Sequence, residues 1–211
     1  MLVFGYPVYF SNAPKIVQDF IRDNGSAFEG KRIFIIATMS IFSGDGAGGA
    51  ARLLSAHGAE ILGGLHLKMP DNVGDEPMLK KPLHKKHEMF RRAEEKIALA
   101  AKRLHGREPF RDGLSPLHHV AGFLSQRMWF FYKTSSYRRG PKIALEKCSG
   151  CGRCVRLCPM KNLSISSGKA HSDMQCTLCY RCFSHCPEKA LTILGRTVHE
   201  QYLFEKYSPE K

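Results

Sequence analysis

CSGCGRCVRLCP at residues 148–159 recurs as CTLCYRCFSHCP at residues 176–187, and this repeat decides the fold of the C-terminal part of the chain. Both copies follow the pattern C-x₂-C-x₂-C-x₃-C-P without deviation. All eight cysteines of the 211-residue chain lie in these two stretches. A disulfide scaffold distributes its cysteines to close loops throughout a chain, so this clustering indicates a metal site in one subdomain.

The spacing favours iron–sulfur clusters over zinc. Three cysteines separated by two residues each wrap one face of a cubane, and the fourth follows about one helical turn later. Zinc sites use separated C-x₂-C pairs and need neither the third cysteine nor the C-P ending. Proline ends each short helix, because its ring disfavours the helical conformation in the residue before it. The repeat therefore predicts a pseudo-two-fold module that holds two [4Fe–4S] clusters.

The ligand assignment follows from a resemblance to bacterial ferredoxins with two clusters, in which the fourth cysteine of each run ligates the other cluster. The resemblance implies two crossed ligand sets that use every cysteine once. One set is Cys148, Cys151, Cys154 and Cys186, and the other is Cys158, Cys176, Cys179 and Cys182. Gly150 and Gly152 are expected to bring backbone N–H groups close to the sulfurs, which tunes the reduction potential.

The first hundred residues alternate short apolar runs with helical patterns. Strands are predicted at residues 2–8, 31–38 and 59–67, and helices at 14–23, 47–57 and 82–104. Such alternation predicts βαβ units around a parallel sheet. We expect an incomplete, three-stranded α/β domain followed by an α+β ferredoxin-like domain, whose two repeats end in strand-like pieces at 163–166 and 190–194.

The predicted domain organisation places the first domain at residues 1–104 and a helical connection at 105–141. The ferredoxin domain follows at 142–197, and a tail occupies 198–211. Within the connection, the aromatic run WFFY at 129–132 is interpreted as packing between domains, with peripheral membrane contact as the alternative.

The chain carries a formal net charge of +13, and its basic residues are densest at 80–107. We interpret this stretch as a solvated helix face, with an acidic redox partner or an anionic membrane surface as alternatives. No nucleic-acid motif accompanies the charge, so no nucleic-acid partner is expected. The start lacks the pattern of a signal peptide, and the apolar stretches are shorter than the ~20 residues of a membrane span. A cytoplasmic location without a transmembrane segment is predicted.

Three further stretches carry a wider resemblance: FGYPVYFSNAPKIVQDFI (4–21), RIFIIATMSIFSGDGAGGA (32–50) and GGLHLKMPDN (63–72). Together with NLSI after the first cysteine motif, they resemble the fusion family in which a flavodoxin-like domain precedes a two-cluster ferredoxin (EFR-type ferredoxins). The resemblance implies a doubly wound sheet of strand order 2-1-3-4-5 that binds FMN at its switch point. The flavin-proximal positions that it implies here are Tyr6, Pro7, Val8, Tyr9 and Thr38.

The chain departs from the flavodoxin pattern at its start. No Ser/Thr-Gly-rich phosphate loop precedes Leu2, and the Gly-rich run at 44–49 contains Asp45, whose charge would oppose a phosphate. That run is interpreted as a turn before a helix. We expect a family member that lacks the N-terminal part of its flavodoxin domain, with residues 2–8 as an unpaired edge strand and FMN binding in doubt.

No catalytic residue is assigned, because the sequence contains no evident Ser-His-Asp order, paired acids or P-loop. His118 and His119 are interpreted as structural, since adjacent helical residues do not face one ion. The sequence therefore predicts an electron carrier that relays single electrons through two [4Fe–4S] clusters. The alternative is a flavin-dependent reductase that combines FMN with iron–sulfur clusters.

Overall fold

The computed structural model describes residues 1–9, 11–122, 124 and 140–203. The chain divides into two compact units, Met1–Pro70 with Lys81–Tyr132 and Asp71–Lys80 with Lys133–Lys211. The ten-residue segment Asp71–Lys80 therefore belongs to the cysteine-containing unit, although the chain on both sides of it belongs to the first unit. The aromatic run at 129–132 and the tail beyond residue 203 lie outside the described residues.

The first unit is built on a parallel sheet of strand order β1-β2-β3-β4. Its strands are β1 (Leu2–Pro7), β2 (Arg32–Met39), β3 (Glu60–Lys68) and β4 (Phe110–Arg111). Its helices are α1 (Lys15–Asp23), α2 (Gly46–Ala56), α3 (Leu83–His105) and α4 (Pro116–Gly122). The prediction of a parallel α/β sheet is confirmed, but the predicted count of three strands is wrong. The fourth strand has only two residues, which is too short to produce an alternating pattern.

The core of the first unit lies on both faces of β2, whose residues are nearly all apolar. Ile33 and Ile35 point to one face, where they pack with α1 and α2. Phe34 points to the opposite face and packs with α3 through Ala93 and Ala100. A strand covered on both faces needs such a continuous apolar run. By contrast, β1 forms an edge of the sheet, with Leu2 and Val3 exposed.

The second unit consists of two short antiparallel ladders and two short helices. β5 (Lys142–Ile143) pairs with β8 (Leu191–Thr192), and β6 (Leu163–Ser166) pairs with β7 (Lys169–Ser172). The helices are α5 (Arg153–Leu157) and α6 (Arg181–Ser184), one in each cysteine motif. The predicted strand at 163–166 is confirmed, and that at 190–194 is shorter than predicted. No helix in the described part of the chain is long and apolar enough to cross a bilayer.

Candidate metal centre

The eight cysteines line two separate cavities of the second unit. The first cavity is lined by Cys148, Cys151, Cys154 and Cys186, and the second by Cys158, Cys176, Cys179 and Cys182. Each cavity takes three cysteines from one motif and the fourth from the other. The structure thus brings together the same two groups of four that the ferredoxin resemblance implies as ligand sets, and no disulfide joins any of the eight cysteines.

The local backbone explains why the cysteines of each motif converge. Gly152 precedes α5 with a φ of 71°, and Tyr180 precedes α6 with a φ of 57°. This left-handed residue turns the chain between the second and third cysteines, so that the short helix begins against the cavity. The third cysteine of each motif, Cys154 or Cys182, lies inside that helix and is buried. The fourth follows after the helix and reaches the other cavity.

Backbone N–H groups point at several sulfurs. The N–H of Asn162 donates to Cys158 Sγ at 3.3 Å, and that of Ala190 donates to Cys186 Sγ at 3.4 Å. Both donors lie four residues after the cysteine that they contact, so the two motifs share this hydrogen bond as well as their sequence pattern. Leu178 N–H donates to Cys176 Sγ at 3.4 Å. Such donors stabilise negative charge on sulfur, which is the form that ligates a metal.

The electrostatics of the cavities fit a cationic metal cluster. Burial raises the pKa of Cys154, and negative charge on Cys186, Cys148 and Cys151 raises it further. Burial likewise raises the pKa of Cys182, with further contributions from the three other cysteines of the second cavity. Four sulfurs that oppose one another's ionisation require a compensating cation to be held together as thiolates. Iron with thiolate ligands meets this requirement, so the residues present fit [4Fe–4S] clusters.

Sequence reasoning missed the carboxylate that supports the second cysteine loop. Asp75 is buried, accepts a hydrogen bond from Tyr180 OH at 2.8 Å and accepts another from Ile193 N–H at 2.6 Å. Burial, followed by the Asp75 hydrogen bond, raises the pKa of Tyr180, so the phenol stays protonated as the donor. Asn72 Nδ2 also donates to Cys179 O at 3.3 Å. The sequence offered two indications of this contact. One is an acidic residue in the run GDEP, which is flanked by Gly and Pro, and the other is an aromatic residue inside the second cysteine motif.

The residues that the flavodoxin resemblance implies near a flavin lie at the carboxyl ends of β1 and β2. Val8 N–H donates to Thr38 O at 2.8 Å, which joins the two strand ends. Tyr6 is buried in the core, and its hydroxyl donates to Gly46 O at 2.6 Å. Pro7 is the last residue of β1, and Tyr9 forms an isolated bridge with Asn12. The structure brings these positions near one another but places the Tyr6 ring in the core.

Comparison with known proteins bears on the second unit. A family model described as a 4Fe-4S dicluster domain matches residues 136–191, a range that includes all eight cysteines. No curated protein and no solved structure matches the chain. The match and the cysteine cavities together identify residues 136–191 as a ferredoxin-type domain that holds iron–sulfur clusters.

Proposed function

We propose that this chain is an electron carrier that relays single electrons through two [4Fe–4S] clusters. Each cluster, when bound, supplies a centre that accepts and returns one electron. The observation that supports the proposal is the grouping of eight cysteines into two cavities of four, each drawn from both motifs. In this proposal the ligand sets are those two groups.

The chain's own residues hold, bury and polarise the ligand sulfurs. Cys154 and Cys182 are the buried ligands in this proposal, and each is carried by one of the short helices. The N–H groups of Asn162 and Ala190 stabilise the charge on the two crossing cysteines. Because each motif contributes to both cavities, neither loop can be displaced without disturbing both ligand sets.

Metal analysis of the anaerobically purified chain tests the proposal. We expect about eight irons and about eight sulfides per chain, and a reversible bleaching of the visible absorption by dithionite that takes up about one electron per cluster. Zinc in place of iron would contradict the proposal. Near-stoichiometric FMN together with NAD(P)H oxidation by the chain alone would favour the reductase alternative instead.

Serine variants test the crossed ligation. Cys154 and Cys158 belong to the same motif but line different cavities. We expect the electron paramagnetic resonance changes of Cys158→Ser to match those of Cys182→Ser, and those of Cys154→Ser to match those of Cys186→Ser. If variants grouped by motif instead of by cavity, the crossed assignment would be wrong.

The flavodoxin-like nature of the first unit is a further part of the proposal. In the order 2-1-3-4-5, the last three strands are successive neighbours in a parallel sheet. The neighbours β1, β2 and β3 follow the same arrangement, which supports the resemblance to the fusion family. The buried position of Tyr6 does not favour a flavin contact by that ring. The flavin analysis above tests this part as well.

An acidic redox partner is the proposed electron donor or acceptor. The support is the exposed basic surface of α3, although i,i+4 ion pairs such as Arg91–Glu95 and Arg92–Glu88 neutralise part of it. Lys85 and Lys102 are exposed. We expect the rate of reduction by an acidic carrier protein to fall with added salt, and to fall further in Lys85→Glu/Lys102→Glu. A rate that is independent of salt would contradict the proposal.

A reducing, cytoplasmic location is also part of the proposed function, since thiolates stay available there as metal ligands.

A further inference from the structure

The carboxyl edge of the sheet in the first unit gathers polar residues from three strands. Ser43 follows β2, His66 lies near the end of β3, and Asp112 follows β4 directly. His118 joins them from α4. Parallel strands end at the same edge of their sheet, and this edge is where ligands of open α/β sheets bind. The grouping lies outside the cysteine motifs and takes no part in the proposed electron transfer.

Three of these residues bring metal-ligating atoms together. A ring nitrogen of His66, a carboxylate oxygen of Asp112 and a ring nitrogen of His118 all lie within 4.8 Å of one another. The two imidazole rings meet edge to face, with 5.8 Å between their centroids and an interplanar angle of 83°. Tetrahedral zinc with bonds of about 2.0–2.1 Å sets its ligand atoms roughly 3.3 Å apart. The limit of 4.8 Å exceeds that spacing, so the three side chains would have to move closer together to bind the ion.

Each of the three side chains has a second partner that orients it. Ser43 Oγ lies 3.0 Å from His66 Nε2, and Ser115 Oγ lies 2.7 Å from His118 Nδ1. Asp112 Oδ2 accepts a hydrogen bond from His66 N–H at 3.1 Å. Metal-binding histidines and carboxylates are held in this way by hydrogen bonds from surrounding groups, which fix the ring orientation. Each ligand is therefore positioned by a contact that the metal itself does not supply.

The backbone also closes tightly over His66. Gly113 has a φ of 78°, and a Cβ at this position would collide with the His66 ring. Only glycine allows the turn between β4 and α4 to pass over the imidazole and present Asp112 and His118 to it.

We propose that His66, Asp112 and His118 form a binding site for a divalent transition-metal ion such as Zn²⁺. Two imidazoles and one carboxylate suit such ions, and three protein ligands leave a coordination position for water or a small ligand. Ca²⁺ and Mg²⁺ are disfavoured, because they take oxygen ligands. The site is independent of the iron–sulfur clusters, since no cysteine belongs to it.

Lys96 sets the affinity of this site. Its ammonium group contacts Asp112 Oδ2 and donates to His66 O at 2.8 Å. A bound cation therefore shares the carboxylate with a lysine, and the two positive charges repel each other. Removing the lysine charge strengthens metal binding at this site, whereas removing the carboxylate charge weakens it.

Zinc titration of the full chain with its iron–sulfur clusters intact tests the site. The protein is first treated with a mild chelator to remove loosely bound metal. Its visible spectrum is then recorded to confirm that the cysteines still hold the iron–sulfur clusters. Calorimetry then gives the zinc stoichiometry, and X-ray absorption at the zinc edge gives the ligand atoms without interference from iron. The matched pair of variants is His118→Ala and His119→Ala, because His119 is on the same helix but contacts Asp45 at 2.8 Å.

We expect one zinc per chain with a shell of nitrogen and oxygen only. Affinity should fall at least tenfold in His118→Ala and Asp112→Asn, stay unchanged in His119→Ala and rise in Lys96→Gln. A zinc shell that contains sulfur, equal affinities of the His118→Ala and His119→Ala chains, or no zinc uptake at all would overturn the proposal. So would a Lys96→Gln chain that binds zinc no more tightly than the wild type.

Discussion

Gly150 and Gly152 occupy, in the first cysteine loop, the positions that Leu178 and Tyr180 occupy in the second. All four residues are left-handed, with φ values of 69° and 71° in the first loop and 59° and 57° in the second. A side chain in this conformation costs about 1–2 kcal/mol, which glycine avoids. The two loops therefore share one backbone conformation, which is unstrained in the first loop and carries a conformational cost in the second.

The contacts of the two loops explain the difference. A Cβ at Gly150 would collide with the carbonyl oxygen of Gly168, so the first loop has no room for a side chain at this position. In the second loop the Tyr180 ring is buried and packs edge to face on Phe183, with 5.2 Å between centroids. Its hydroxyl reaches Asp75. The second loop thus offsets its backbone cost with an anchor from a distant segment.

The largest effect is expected for Gly150→Ala. The new Cβ combines a left-handed backbone with a collision against Gly168 O, for a total cost of about 2–5 kcal/mol. We expect loss of the cluster in the first cavity, with iron falling from about eight to about four per chain. Gly168→Ala is the control: Gly168 has a φ of 72°, but a Cβ there meets no atom within 4 Å. If both variants kept their full iron content, the collision with Gly168 O would not affect cluster binding in the first cavity.

The next effect is expected for Asp75→Asn, which acts on the second loop alone. An amide retains the shape of the side chain but cannot accept from both Tyr180 OH and Ile193 N–H with the strength of a carboxylate, at a cost of about 2–3 kcal/mol. We expect faster loss of iron on anaerobic heating and a higher reduction potential for one cluster, because a nearby negative charge is removed. Asp71→Asn, in the same segment, is the control. Equal rates of iron loss and equal reduction potentials in the two variants would show that Asp75 does not support the second loop.

Tyr180→Phe should have a smaller effect, because it removes one of the two hydrogen bonds to Asp75 and keeps the buried ring. The expected cost is about 1–2 kcal/mol. The double variant Asp75→Asn/Tyr180→Phe should cost less than the sum of the two single changes, since both act on one contact. Anaerobic thermal unfolding followed at the cluster absorption measures all three. Strict additivity would show that the two side chains support the loop independently.

The sequence predicts what depends on local spacing and fails where distant residues meet. The cysteine spacing indicates the two loops, because three of the four cysteines in each cavity come from one motif. The crossing of the fourth cysteine is implied by the resemblance to two-cluster ferredoxins. The alternation of strands and helices locates β1 to β3 in the same way. Asp75 is 105 residues from Tyr180 and 118 from Ile193, and no periodic pattern links such positions. No pattern in the sequence therefore links residues 71–80 to the cysteine-containing unit, to which the structure assigns them.

The same limit explains the histidines of the first unit. Adjacent side chains on a helix point in different directions, and the structure directs His118 to His66 and His119 to Asp45. The sequence argument that His118 and His119 do not share one ion therefore holds. It does not detect that His118 meets His66, which lies on another strand. Nor does it detect Asp112, whose position depends on the two-residue strand β4.

The smallest effect is expected for Leu178→Gly, where one stabilising contribution opposes two destabilising ones. Glycine relieves the left-handed backbone by about 1–2 kcal/mol but gains about 0.5–1 kcal/mol of chain entropy when unfolded. It also loses the packing of a half-buried leucine against Tyr180 and Phe183, which at half of full burial is worth about 1 kcal/mol. We therefore expect the thermal transition of the second cluster to change by less than the equivalent of about 1 kcal/mol. A clear gain in stability would mean that the second loop keeps Leu178 at a net cost, whereas a loss as large as that of Asp75→Asn would make the leucine a second anchor of this loop.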